Sequence, residues 1–249
     1  MFKHKKLAFF LLVIPMCVLG IVLWHFYETR IIRLDYDGFT VWLDCGRRGA
    51  VRFRYIAKVD HGKLDRSHVF SIDPDVSRRC QQTTTVPYAH GDVSYDRGHL
   101  VPANHMDHSN KALRQSNFVT NILPQVAVMN RGAWLRTEEI IECYRDRGDL
   151  LILGGVIWGN TLADDYFKKS HGVATPDAFW KVIVRWDGEV IAWIVANSTL
   201  ATRQALDDYI VSIAEIEHKT GITISDVSDQ QKNQRQSVSW PLPKNCDKS

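Results

Sequence analysis

The residues best equipped for chemistry stand together in Tyr95-Asp96-Arg97-Gly98-His99. Arg97 carries a permanent charge on a planar fork that matches phosphate oxygens. Gly98 frees the backbone to turn or lets a substrate come close. His99 titrates near neutral pH and can take a proton from water. Side by side they point to phosphodiester chemistry, with arginine on the charge and histidine on the nucleophile. Two polar runs follow, Thr120-Asn121-Ile122-Leu123-Pro124-Gln125 and Asn130-Arg131-Gly132-Ala133-Trp134 with Glu138. Taken alone, Asn130 reads as the N-cap of a helix.

The elements that must hold these groups are legible as patterns. Ile31 to Ala57 is strand-like, with Cys45-Gly46-Arg47-Arg48-Gly49 as a turn. Residues 58–95 are polar and broken by Asp60-His61-Gly62, Asp73-Pro74-Asp75 and Pro87, as a long loop that either carries function or is poorly ordered would be. A short strand is expected to end against Pro124, and a helix to run from Asn130 to about Asp146. Leu150–Ile157 reads as a strand. Phe179–Trp186 and Val190–Val195 flank Asp187-Gly188 as a hairpin. Arg203–His218 has helical spacing, with Gly221 as its stop. A loose polar tail, Ser225 to Gln236, precedes Trp240-Pro241-Leu242-Pro243, which rejoins the body. No repeat or Gly/Ser linker divides the chain after residue 30.

Charge excludes a generally basic surface. The 249 residues carry a net charge of +3, and Lys3, Lys5, Lys6 and Arg30 against Glu28 account for all of it. A body so nearly neutral must bind nucleic acid through a local groove. The apolar run Leu7–Trp24, behind those lysines, is long enough to span a bilayer and favours a cytoplasmic N-terminus. Residues 1–30 are therefore expected to be a membrane anchor, with a cleaved signal peptide as the alternative. Either way residues 31–249 lie outside the cytoplasm, anchored or secreted. Cys45, Cys80, Cys143 and Cys246 suit an oxidising compartment; their pairing is not fixed by spacing, and Cys143 also reads as a free buried thiol.

As an ordered set, Asp96–His99, Thr120–Gln125 and Asn130–Glu138 resemble the DNA/RNA non-specific endonucleases, the ββα-metal nucleases that include endonuclease G. Leu153-Gly154-Gly155-Val156 and Pro176-Asp177-Ala178-Phe179-Trp180-Lys181-Val182 are similar to that family's later strands. The likeness runs from about residue 36 to 243. It implies an α+β fold, with a mixed or antiparallel sheet core and a ββα-metal finger carrying the active site, to which the apolar run of residues 1–30 adds one N-terminal transmembrane helix in front. It implies His99 as general base, Asn130 as ligand of one Mg²⁺ (with Mn²⁺ as substitute), Arg97 beside the histidine, and Glu138 near the metal's water shell. Arg66 resembles an arginine on the scissile phosphate. Arg131 stands where relatives often have glutamine.

The implied chemistry is hydrolysis of DNA and RNA, held by the phosphate backbone. Asn130 and Glu138, two turns apart, are too distant to ligate one ion together, so Glu138 is expected to act through water. Asn121 and Gln125 are expected to fix the strand beneath the metal, Asp96 to be structural, and His105 and His108 to lie on the surface. The competing readings are a catalytically silent, membrane-anchored nucleic-acid binder of the same fold, and a phosphodiesterase for small substrates. The oligomeric state is left open.

Overall fold

A computed structural model of the chain describes residues 31–62, 64–65, 69–159 and 166–246. The expected anchor at 1–30 and Arg66 lie outside the described residues. Among the described residues, no helix is long and apolar enough to cross a membrane.

Among the described residues, ten strands form two antiparallel sheets. The larger takes β1 (Ile31–Asp35), β2 (Phe39–Asp44), β3 (Gly49–Ala57), β7 (Leu150–Ile157), β8 (Ala178–Val184), β9 (Val190–Ala196) and β10 (Ile210–Val211), in that spatial order. The smaller is β4 (Ala89–His90), β5 (Val93–His99) and β6 (Ile122–Val126). Among named strands every pairing is antiparallel, the antiparallel of the two expected sheet types, with one isolated parallel bridge from Ser71 to Phe118.

Strands β3, β7, β8 and β9 alternate two apolar faces, as a sheet covered on both sides must. Phe53, Ile152, Phe179, Ile183 and Trp193 face the main core, together with Trp134 of the long helix. Leu153, Trp180, Val182 and Ala192 face a second cluster closed by Ile213 and Ile216. That second cover is a short helix, Ile213–Thr220, not the helix expected over Arg203–His218. Ile210 and Val211 instead pair with Trp193 and Ala192 at the sheet edge. Ser212 and Glu215 then form a capping box that fixes the helix start. Gly221, at φ 70°, ends it as expected.

Among the described residues the helices are, in order, α1 (Asn110–Ser116), α2 (residues 127–145), α3 (Ile213–Thr220) and α4 (Asp229–Lys232). The last lies within the tail expected to be loose. α2 is composite: Ala127–Met129, a π-helical turn Asn130–Trp134, then Leu135–Arg145. Pro124 lies inside β6 rather than ending it, paired with Arg97. Its missing N–H is tolerated because β6 is an edge strand. The four cysteines pair as Cys45–Cys80 and Cys143–Cys246, which removes the free-thiol reading of Cys143.

Candidate active site

β5, β6 and α2 form a strand–strand–helix unit around a cavity of about 290 Å³. Arg97, His99, Asn117, Asn130 and Glu138 all line it, so four of the five residues singled out by sequence meet there. The fifth, Arg66, is not described, but Phe70, four residues on, stands in the wall. Its ring lies 4.1 Å from the Arg97 guanidinium carbon and 5.4 Å from the His99 ring.

Neighbours hold each group in one pose. Arg97 Nη1 donates to the Thr85 carbonyl at 2.7 Å. His99 Nε2 lies 2.9 Å from Asn117 Oδ1. A carbonyl oxygen can only accept, so Nε2 carries the proton and Nδ1 bears the lone pair. The Trp134 indole N–H reaches the His99 carbonyl at 3.3 Å.

Gly98 does not serve as expected, as a turn or a point of substrate approach. It is buried within β5, where a Cβ would fall 2.1 Å from the Gln125 amide oxygen. Gln125 needs that space, and its own amide is buried without a hydrogen-bond partner. Asn121 does fix the chain below the site. Its amide bonds both polar atoms of Val101, at 3.0 and 2.9 Å, and the Ser116 carbonyl at 2.8 Å.

Asn130 is not an N-cap, because α2 begins three residues earlier. Its side chain is spent elsewhere: Nδ2 donates to Asp96 Oδ2 at 2.8 Å. Asp96 also accepts from Arg131, at 2.9 and 2.6 Å. With Nδ2 committed, the amide presents Oδ1 as its remaining polar atom. Inside the π turn, Ala133 N–H leaves the helix for the Ala201 carbonyl at 3.2 Å, and Leu135 N–H donates back five residues to Asn130. In a regular helix eight residues would rotate Glu138 about 80° out of phase with Asn130. The residue inserted by the π turn brings the two within about 20°.

The wall below Asn130 is acidic, with Glu138, Glu139 and Glu142 on one helical face. Each has a cation behind it. Lys181 Nζ stands 3.8 Å from Glu138, Arg136 and Arg203 pair with Glu139, and Arg145 lies 2.6 Å from Glu142. Glu142 also contacts Asn104 and lies 2.8 Å from His105 Nε2. His105 is thus buried, with Nδ1 at 2.7 Å from the Tyr55 hydroxyl, and is not the surface residue expected; His108 is exposed.

Among the described residues no cluster of three or more His, Cys, Asp or Glu side chains is arranged to hold a metal. A metal here would rest on few protein oxygens, with water and substrate completing its shell. Magnesium accepts that arrangement, and the oriented Asn130 Oδ1 is a donor of the right chemistry. Asn117 and Lys181 had no assigned role in sequence. An asparagine at a helix end reads as a cap, and a lysine within a strand reads as exposed.

The sequence pattern of the DNA/RNA non-specific endonucleases matches residues 27–231. The chain is 28% identical to Nuclease C1 of Cunninghamella echinulata var. echinulata over 179 residues, 67% of this chain and 70% of that protein. To the mitochondrial nuclease EXOG of Xenopus laevis it is 27% identical over 186 residues, 69% and 51% of the two chains. To mitochondrial endonuclease G of Homo sapiens it is 28% identical over 141 residues, 51% and 47%. The matched part thus spans about half of these mitochondrial proteins. The fold is similar to a solved EndoG/EndoGI complex at a TM-score of 0.66 and 18% identity, covering 83% of this chain and 90% of that one.

Proposed function

Since this chain belongs to the DNA/RNA non-specific endonuclease family, we propose that it hydrolyses phosphodiester bonds in DNA and RNA, with His99 as general base and one Mg²⁺ on Asn130. Mn²⁺ would serve in its place. The observation that carries this reading is the convergence of His99 and Asn130, from β5 and α2, on one cavity walled also by Arg97 and Glu138.

His99 Nδ1 takes a proton from a water, which attacks phosphorus in line with the leaving 3′-oxygen and leaves a 5′-phosphate. Asn117 keeps the ring in the tautomer that can do so. Arg97 binds non-bridging phosphate oxygens, stiffened by Phe70 and the Thr85 carbonyl. Asn130 would hold the metal, which when bound would supply a Lewis acid for the developing charge and an acidic water for the leaving oxygen. A neutral amide leaves the ion's charge undiminished. Glu138, on the same cavity wall, would orient water of the ion's shell. Arg66 joins Arg97 on the phosphate. Contacts of this kind carry little base information, so sequence preference is weak.

Residues 31–249 form the nuclease unit and residues 1–30 its anchor, with the nuclease outside the cytoplasm; two disulfides support an oxidising compartment. Supercoiled plasmid and structured RNA, incubated with the protein and Mg²⁺, should both be cut. EDTA should abolish cleavage, and His99→Ala should lower kcat by about 10²–10⁴-fold. Binding without nicking, or turnover of small diesters alone, would overturn the proposal in favour of a silent binder or a small-substrate phosphodiesterase.

A further inference from the structure

Lys181 sits where its chemistry is least expected. It is fully buried in β8, on the face it shares with the core residues Phe179 and Ile183, and its cross-strand partners are Gly154 and Trp193. A desolvated ammonium is costly unless paired, and a methionine would fill the same space without that cost. What the charge touches is one turn of α2. Nζ donates to Thr137 Oγ1 at 2.8 Å, lies 3.7 Å from the centre of the Trp134 ring, and stands 3.8 Å from Glu138 Oε1.

Two of those neighbours belong to the cavity's machinery. Glu138 lines the wall, and the Trp134 indole holds the His99 carbonyl. Lys181 itself does not line the cavity. Burial pulls its pKa down, and the Glu138 carboxylate pulls back in favour of the charged form. A cation retained at that cost, beneath a carboxylate of the site, calls for a role beyond packing.

We propose that Lys181 is a positioning residue of this site: its buried ammonium holds the Glu138 carboxylate turned to the cavity. The inference rests on the nuclease reading above. It is tested with wild type, Lys181→Met, Glu138→Gln and the double variant, by kcat and KM on supercoiled plasmid with Mg²⁺ and by thermal melting of the metal-free proteins.

Lys181→Met should lower kcat about tenfold or more with KM changed less than about twofold. In the Glu138→Gln background the same change should cost less than about twofold, because the lysine acts largely through that carboxylate. The melting temperatures check that each variant is folded in the assay; Lys181→Met, which takes this cation from Glu138, should melt no higher than the double variant, which removes both charges. A kcat within twofold of wild type, or losses that multiply in the double variant, would each overturn the role. Should Lys181→Met fail to fold, Thr137→Val, which removes the ammonium's acceptor, carries the same comparisons. A wild type that cleaves nothing defeats the nuclease reading; a cleaving wild type matched by Lys181→Met defeats only the lysine.

Discussion

Asp96 grips two successive side chains of the helix opposite, Asn130 and Arg131. An amide has a donor end and an acceptor end, so fixing Asn130 Nδ2 fixes where Oδ1 is presented. Asp96→Ala frees the amide to rotate. The Mg²⁺ concentration for half-maximal cleavage should then rise about 10–100-fold, with kcat at saturating metal falling much less. Metal titration of the plasmid assay checks this; an unchanged metal requirement would detach Asp96 from the ion. The single residues that sequence exposed were those whose type is scarce and whose order is distinctive: Arg97, His99, Asn130 and Glu138. The residues that aim them were hidden, because aiming is done by common types in ordinary places. Asn117 accepts from His99 while standing at the end of α1. Gly98 makes room for Gln125 and offers no turn.

At the scale of elements, the π turn decides whether two side chains of one helix share a face. Gly132 lies within it, and a Cβ there would meet the Ala201 oxygen and Arg203 nitrogen, both backbone, at 3.0 Å. Neither can swing aside as a side-chain tip would. Gly132→Ala should cost about 1–3 kcal/mol in stability. It should also lower kcat, because yielding there turns Asn130 against Glu138. Urea midpoints and plasmid kinetics on one preparation test the pair of effects; unaltered kinetics would mean that the phase of the turn is immaterial. Periodicity revealed that a helix crosses this region but not where it begins or that one turn of it is underwound. The first turn is three residues without a polar cap, and the π turn answers the Ala201 carbonyl, distant in sequence. Helical spacing at Arg203–His218 misled for a related reason. Ile210 satisfies an apolar position equally well as an edge-strand partner of Trp193.

Over the whole molecule, the site depends on ties between segments far apart in the chain. Cys143–Cys246 fastens the tail to the end of α2, where the Tyr144 hydroxyl also donates to the Pro241 carbonyl. On the other side, Arg97 leans on Thr85, and the stretch around Thr85 is held by His171. The Thr83 N–H donates to the His171 carbonyl at 2.7 Å, and His171 Nε2 lies 3.1 Å from the Val86 carbonyl. The ring packs against Tyr88 and Phe167, with centroids at 4.6 and 5.7 Å. Burial lowers its pKa below the ordinary 6.5, and the Val86 carbonyl offsets only part of that. As pH falls, the unfolded chain therefore takes up this proton first. The stability His171 contributes is complete above pH 6.5 and drains away as pH drops through its folded value. Urea midpoints from pH 8 to 5 should decline below 6.5 in wild type and decline less steeply in His171→Gln, which keeps an amide hydrogen-bond donor but cannot take up a proton. The other histidines titrate alike in both proteins, so the difference between the two curves isolates this one. Parallel curves would mean that His171 ionises as freely in the folded protein as in the unfolded chain, and the acid sensitivity of the Arg97 support would need another source.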